Sequence, residues 1–159
     1  MAENIFVTAK YLGSCSNWRL NNLTLQKLLY VAHMFSLSAD GSPLVVGHFY
    51  AWDRGPVLPE LYHKAKVFGA SPVGNIFHEY PNLSNERAAQ ILDHTIHVLG
   101  TASPAQLVAV TQRGAGAWAQ RWNLVARFAQ CIPNADIREE GLRCFSGGMP
   151  LQMNGPQLA

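Results

Sequence analysis

Residues 23–40 read LTLQKLLYVAHMFSLSAD and carry the strongest periodic pattern of the chain. Apolar side chains recur there at intervals of three and four residues, which places them on one face of an α-helix. This face consists of Leu25, Leu28, Leu29, Ala32 and Phe35. Half-buried side chains are expected on the flank of the helix, at Gln26, Lys27, Tyr30, His33 and Leu37. Because Gly41 can end it, we predict a central helix that closes at Asp40.

Two short β-prone runs follow this helix. Leu44–Val46 and Phe49–Trp52 predict a small hairpin or an extended pair near residues 44–53. Gly55-Pro56 then combines a permissive glycine with a proline of fixed φ, and Pro59 suits the first position of a helix. The chain is therefore expected to turn at residues 52–57 from an extended segment into another helix.

Further helices are predicted from cap residues and apolar periodicity. They are a helix capped by Asn4 and ended by Gly13, a helix from Ser84 to Leu99, a helix opened by Ser103-Pro104, and helices at Trp118–Phe128 and Asn134–Phe145. Residues 70–83 have the composition of a surface loop, and residues 146–159 that of a flexible tail. The sequence thus predicts a mainly α, compact domain of about six helices over residues 1–145.

The composition of the chain favours a binding protein. Charged residues make up 14% of 159 residues, compared with about a quarter in an average soluble domain. A surface so poor in charge favours contact with a partner or a homo-oligomer. The start of the sequence lacks the pattern of a signal peptide, and no run is long enough for a membrane span. Cys15, Cys131 and Cys144 lack CxxC spacing, so we expect small buried thiols, reduced in the cytoplasm.

Catalytic and metal-binding patterns are missing from the sequence. His94-x-x-His97 has no third ligand at metal-site spacing, and no phosphate-binding loop or nucleophile elbow stands between a strand and a helix. We therefore predict no metal, no cofactor and no enzymatic activity. The alternative left open is a small hydrolase with a cleft near His33 and His48.

The charge distribution leaves a second alternative open. No acidic residue occurs between Asp93 and Asp136, whereas Arg113, Arg121 and Arg127 all lie in that segment. These arginines are either solvated or face an acidic partner or a nucleic acid. Arg121 and Arg127 are the candidates for a DNA-recognition helix, although the net charge of +2 gives little support for DNA binding.

Two blocks carry a family resemblance. Residues 23–33, LTLQKLLYVAH, and residues 49–62, FYAWDRGPVLPELY, resemble the SocA-like, or Panacea, domain, a family that also includes the phage-associated GepA proteins. A later family pattern is similar to Thr111-Gln112 followed by residues 114–118, with Gln112 where the family has histidine. The resemblance spans roughly Asn4 to Phe145.

The resemblance implies a mainly helical cytoplasmic antitoxin that acts by binding a toxin encoded beside it. One branch of the family resembles a proteolytic adaptor that presents its toxin to the ClpXP protease, and other branches look like direct neutralisers. The candidate partner-binding residues are Lys27, Tyr30, His33, Trp52, Asp53, Arg54, Gly55, Pro56, Thr111, Trp118 and Arg121. Lys27 is expected either to pair with Asp53 or to reach water, and Tyr30, Trp52 and Trp118 either to pack in the core or to anchor a partner.

Overall fold

The computed structural model describes residues 2–122 and 130–145. Over these ranges the chain is mainly helical, with seven α-helices and one three-stranded antiparallel sheet, which confirms the predicted fold class. The helices are α1 (Ile5–Cys15), α2 (Asn22–Asp40), α3 (Pro59–Ala65), α4 (Glu86–Leu99), α5 (Pro104–Thr111), α6 (Ala117–Arg121) and α7 (Asn134–Cys144). The strands are β1 (Phe49–Trp52), β2 (Gly55–Val57) and β3 (Gln130–Ile132), and a 3-10 turn covers Lys66–Phe68. The predicted tail, residues 146–159, lies outside the described residues.

Helix α2 is the centre of the fold, because α1, α3, α4, α5 and α7 all pack against it. Asn21 Oδ1 caps its first turn by accepting a hydrogen bond from Thr24 N–H at 2.9 Å. Gly41, at φ 82°, ends it as predicted. The predicted apolar face, residues 25 to 35, is buried throughout. Since burying one leucine or phenylalanine side chain contributes about 1.5–3 kcal/mol, α2 supplies much of the stability of the core.

The flank of α2 differs from the prediction of half-buried side chains. Gln26, Lys27, Tyr30, His33 and Leu37 are all at most 2% exposed. The reason is tertiary: β2 covers this helix at one point and α7 at another. A helix enclosed in this way must satisfy its polar side chains inside the protein.

The small sheet pairs different segments from those predicted. β1 pairs with β2 in the register Tyr50↔Val57 and Trp52↔Gly55, not with residues 44–46. Val45 instead forms an isolated parallel bridge with Glu3. The pairing with β2 is possible because Gly55, at φ 111°, adopts a backbone conformation that side chains resist. We call residues 52–57 the hairpin turn.

β1 is the central strand of the sheet. Its other edge pairs with β3 in the register Phe49↔Ile132 and Ala51↔Gln130. The order β2-β1-β3 therefore places β3 on the edge of β1 opposite to β2.

Helix boundaries shift where side-chain packing overrides local signals. Gly13 does not end α1, which continues to Cys15. A Cβ on Gly13 would lie 2.1 Å from the Trp18 ring, so the glycine makes room for an aromatic side chain. Asn85, not Ser84, caps α4, by accepting a hydrogen bond from Ala88 N–H at 3.1 Å.

Two further segments refine the predicted architecture. Residues 70–83 form no helix or strand and most of them are exposed, as predicted for a surface loop, but Val73 and Phe77 are buried and anchor the loop to the core. A Cβ on Gly141 would lie 1.9 Å from Ser38 Oγ, and this glycine therefore allows α7 to pack closely on α2. Phe145 is buried, whereas Leu142 is 41% exposed.

Candidate functional site

The candidate partner-binding residues differ sharply in exposure. Those on the surface are Asp53 and Arg54, at the tip of the hairpin turn. Those that are partly exposed are Trp52, Trp118 and Arg121. Those that are buried are Lys27, Tyr30, His33, Gly55, Pro56 and Thr111. The buried residues support the surface, and the exposed and partly exposed ones present their side chains directly to a partner.

Lys27 supports the hairpin turn from below. Its Nζ donates a hydrogen bond to the carbonyl oxygen of Pro56 at 3.2 Å. A Cβ on Gly55 would lie only 2.8 Å from the same Nζ. Gly55 is thus required twice, once for its positive φ and once for the space that the ammonium group occupies.

The predicted alternatives for Lys27 both need correction. The side chain does not reach water, because it is fully buried. Among the described residues it forms no salt bridge with Asp53, whose side chain is exposed. Burial lowers the pKa of Lys27 to about 8, and the more distant charge of Asp53 opposes that shift only in part. The ammonium group is held by a carbonyl dipole instead of a carboxylate.

Gln26, the neighbour of Lys27, fixes the chain just after the turn. Its side-chain amide accepts a hydrogen bond from Leu58 N–H at 2.8 Å and donates one to the Leu58 carbonyl at 3.2 Å. These two hydrogen bonds fix Leu58, the residue that precedes α3. The side chain of Leu58 cannot itself cap the helix. Gln26 was not among the predicted site residues. The one signal for it was a polar residue next to Lys27, on the flank of the apolar face of the helix.

The opposite side of the turn is held by residues near α5 and α6. Gln112 Nε2 donates to the carbonyl oxygen of Asp53 at 3.2 Å, and Trp118 Nε1 donates to the carbonyl oxygen of Trp52 at 2.7 Å. Gln112, where the family pattern has histidine, therefore acts as a backbone donor, which an amide N–H can do as well as an imidazole. Thr111 bonds within α5, to the Leu107 carbonyl at 3.0 Å.

A pocket of about 560 Å³ adjoins the turn. We call it the hairpin pocket. Its lining residues are Asn21, Asn22, Leu23, Gln26, Lys27, Trp52, Asp53, Arg54, Val57, Tyr62, Lys66, Gly69 and Ala70. The rings of Trp52 and Tyr62 meet edge to face with centroids 4.9 Å apart. The pocket thus combines an aromatic wall with several charged side chains, and its volume is typical of ligand sites.

His33 lies deeper on α2, at a site that is closed. Its Nδ1 accepts from Leu44 N–H at 3.2 Å and from Val45 N–H at 3.4 Å, while Nε2 lies 2.9 Å from Asn134 Oδ1. These partners assign the neutral Nε2–H tautomer. Burial lowers the pKa of His33 to about 4. Since both ring nitrogens are occupied and His48 is exposed, the pair does not form a hydrolytic cleft.

Tyr30 and Glu140 are two further buried polar side chains, and neither Tyr30 OH nor Glu140 Oε2 has a hydrogen-bond partner among the described residues. Burial raises the pKa of both groups, and each lies close enough to influence the other. Glu140 Oε1 accepts a hydrogen bond from Ala117 N–H at 2.9 Å, which opposes the shift of its pKa. A Cβ on Gly116 would lie 2.5 Å from Glu140 Oε2. The carboxylate therefore positions the start of α6, and with it Trp118.

Arg121 is paired. Its Nη2 lies 2.8 Å from Asp136 Oδ2 on α7, and its Nε donates to the same oxygen at 3.1 Å. Folding thus places Asp136, the acid at the end of the segment that contains Arg121, next to that arginine. Trp118 and Trp122 stack nearby, with centroids 5.6 Å apart. Arg127, the other candidate for a DNA-recognition helix, lies outside the described residues.

Residues 2–122 and 130–145 also bear on the expectations for metal sites, cysteines and membrane spans. No three His, Cys, Asp or Glu side chains come together there as a metal site would require. Cys15 and Cys131 are exposed, and so are not the small buried thiols expected. No helix in these ranges has both the length and the apolar character needed to cross a bilayer.

Comparison with known proteins places the hairpin turn and α2 within a matched region. The model of the family described as "Antitoxin SocA-like, Panacea domain" matches residues 25–119. The chain is 34% identical over 109 residues to Antitoxin SocA of Caulobacter vibrioides (strain NA1000 / CB15N). That alignment covers 62% of this chain and 58% of the relative, so the chain spans less than two thirds of the relative's length. No solved structure matches. From Leu25 in α2 to Ala119 in α6, the chain therefore belongs to the SocA-like, Panacea-domain antitoxin family.

Proposed function

We propose that this protein neutralises a toxin, encoded next to it, by binding the toxin directly in a stoichiometric complex. Membership of an antitoxin family supports a toxin as the partner. The geometry of the hairpin turn supports binding as the mode of action. Asp53 and Arg54 are exposed at a tip whose backbone carbonyls are held by buried or partly buried side chains from three directions.

The support beneath the turn is the observation that carries the proposal. Lys27, Gln112 and Trp118 come from different parts of the chain, yet each donates to a carbonyl oxygen of residues 52–56. A loop held in one conformation before binding loses less entropy when the complex forms. Each of these side chains donates to the backbone of the turn, which suits a rigid recognition surface better than a reacting centre.

A rescue experiment tests the proposal. The protein is titrated against a fixed level of the toxin from the adjacent gene, and growth and complex formation are measured together. We expect rescue in proportion to dose, with saturation near equimolar protein. Exchange of the exposed His48 for alanine should leave rescue unchanged. Rescue at far below one equivalent, abolished by His48→Ala, would indicate an enzyme and contradict the proposal.

Toxin lifetime in the same cells separates two modes of neutralisation. A direct neutraliser leaves the toxin intact in the complex, and we expect the toxin to have the same half-life with and without the ClpXP protease. An adaptor would shorten that half-life only when ClpXP is present. A half-life shortened in this way would mean that the toxin is still the partner, but that the protein delivers it to the protease and does not inhibit it directly.

DNA binding is the alternative that the charges support less. Arg121 is already paired with Asp136 across α6 and α7. Recognition of phosphates needs free cations, and binding should then weaken steeply with salt. We expect no salt-dependent binding to the promoter of the protein's own gene. A steep salt slope that Arg121→Gln reduces would favour the repressor.

A further inference from the structure

The hairpin pocket borders a buried cation whose hydrogen-bonding capacity is only partly used. An ammonium group has three N–H donors. Within the described residues Lys27 Nζ has one acceptor, the Pro56 carbonyl, although Lys27 is fully buried. An unused donor on a buried charge is costly, because water is no longer available to replace the missing acceptor. Lys27 is also one of the residues around the hairpin pocket, so a ligand that enters the pocket and displaces the groups covering Lys27 can supply that acceptor.

Trp52 provides an independent sign at the same pocket. It also lines the wall, and its Nε1–H is buried without a hydrogen-bond partner among the described residues. Trp118, by contrast, uses its Nε1–H to hold the turn. An indole N–H is a donor only, so the missing partner of Trp52 must be an acceptor. Lys27 and Trp52 therefore each have an N–H donor that lacks an acceptor.

The charges around the hairpin pocket indicate what kind of acceptor would bind to Lys27 and Trp52. Lys27, Arg54 and Lys66 are the cations of its wall, and Asp53 is the anion. The excess of positive charge favours an anionic acceptor over a neutral carbonyl. Another pocket, of about 340 Å³ beside Cys15, has Arg19 as the one fixed charge among its described lining residues, and none of these residues has a buried donor without a partner. The two pockets therefore differ in their chemistry.

We propose that the hairpin pocket binds a carboxylate, with Lys27 and Trp52 as its donors, and that in the complex an acidic side chain of the toxin supplies it. This inference rests on the proposed function for the identity of the partner. Trp52 and Tyr62 form the apolar wall, which suits a residue of a folded partner that carries the carboxylate on an aliphatic stem. Lys66 and Arg54, both exposed, line the same pocket and attract the acidic segment.

The first experiment needs no toxin. The ¹⁵N-labelled protein is titrated with N-acetyl-aspartate amide, with N-acetyl-asparagine amide as the neutral match and with inorganic phosphate as a second anion. We expect a saturable shift of the Lys27 Nζ and Trp52 Nε1–H signals with the aspartate compound and none with the asparagine compound. Lys27→Met should abolish the Trp52 shift. Equal responses to both amides, or a response to phosphate alone, would overturn the carboxylate assignment.

The second experiment measures toxin affinity and thermal stability for matched variants. Lys27→Met keeps the volume of the buried side chain and should retain the wild-type fold, but should weaken toxin binding by more than about tenfold. Lys66→Gln changes an exposed cation of the pocket, and should weaken toxin binding by about two- to fivefold. Lys64→Met, on the same turn of chain but outside the pocket, should leave affinity unchanged.

These outcomes separate the pocket from the proposed function. If the wild-type protein binds its toxin and Lys27→Met and Lys66→Gln bind it equally well, the pocket inference is wrong and the proposed function stands. If the wild-type protein binds no toxin, the proposed function is wrong, and the titration with the two amides still decides whether the pocket takes a carboxylate.

Discussion

Lys27 and His33 are separated by about 9 Å along α2 and are both fully buried, yet their surroundings differ. His33 has a hydrogen-bond partner at each ring nitrogen, whereas Lys27 has one acceptor for its ammonium group. Burial lowers the pKa of both side chains. The region around His33 is closed, and the region around Lys27 adjoins a pocket.

This difference separates a structural polar residue from a candidate binding residue. A buried side chain with all partners inside the protein stabilises the fold, and its removal leaves those partners unsatisfied. A buried charge with few partners destabilises the free protein and is available to a ligand. Substitutions at Lys27 and at His33 should therefore change stability to different extents.

The largest effect is expected for His33→Leu. It removes the acceptor of Leu44 N–H and the donor to Asn134 Oδ1, and each orphaned group costs about 1–3 kcal/mol. We expect a loss of about 2–5 kcal/mol in the free energy of unfolding, measured by urea denaturation. Lys27→Met is the matched control: it removes the donor to the Pro56 carbonyl but also removes a buried charge, and because the two effects oppose each other we expect a change of less than about 1 kcal/mol. Equal losses in the two variants would show that Lys27 is a structural residue like His33, and would contradict the distinction between the two sites.

Gly55→Val should act through backbone strain and through collision with Lys27. Positive φ costs a β-branched residue about 1–3 kcal/mol, and the new Cβ would approach Lys27 Nζ to 2.8 Å. We expect lower thermal stability together with weaker toxin binding. Gly41→Val is the control for strain alone, because Gly41 also has positive φ, lies outside the pocket lining, and its Cβ position meets only Arg138 atoms at 3.7 Å or more. A Gly55→Val protein as stable as wild type would contradict the role of the turn.

Lys27 and His33 should give the pH dependence of stability the same sign, in different pH windows. The pKa of His33 is lowered from 6.5 to about 4, so the unfolded chain binds more protons between these values and stability falls as pH decreases from 6.5 towards 4. The expected slope is about 1.4 kcal/mol per pH unit. His94, whose pKa is lowered by burial and by His97, adds to it. Constant stability from pH 7 to pH 5 would refute the assignment of a neutral His33.

Lys27 has its window at alkaline pH. Its pKa is lowered from 10.5 to about 8, and the folded state therefore binds fewer protons than the unfolded state between these values. Stability should rise with pH from 8 towards 10, and this rise should be absent in Lys27→Met. Denaturation of both proteins at pH 8 and pH 10 measures the difference, and identical profiles would show that Lys27 does not titrate in this range.

The smallest effect on stability is expected for Arg54→Ala. Arg54 is exposed at the tip of the turn, and a surface substitution of this kind usually changes stability by less than about 0.5 kcal/mol. Toxin affinity should nevertheless decrease, as measured by calorimetric titration. An unchanged affinity would move the interface away from the turn and towards the helix that carries Arg121.

Local signals in the sequence were sufficient for much of the fold. The apolar period of α2, the Asn4 cap, the glycine at 41 and the proline at 59 each act within a few residues, and each was found where predicted. The pairing of β1 with β3 could not be predicted in this way. It joins segments far apart in the chain, and its register depends on the packing between them.

The candidate site was predictable only in part, for the same reason. The sequence identified the hairpin turn and Lys27, but it placed a carboxylate next to Lys27 where the structure has a backbone carbonyl. Gln26 and Tyr62 carry no pattern of their own. Their roles arise from hydrogen bonds to the backbone and from aromatic contacts that exist only after folding.

Hydrogen exchange of the protein, free and bound to the toxin of the adjacent gene, tests most directly whether the hairpin turn is the binding face. We predict that the toxin slows exchange at residues 52–58 and 62–70, which surround the hairpin pocket, and leaves the Glu86–Leu99 helix unchanged. Protection confined to that helix, with no change at the turn, would contradict the central claim.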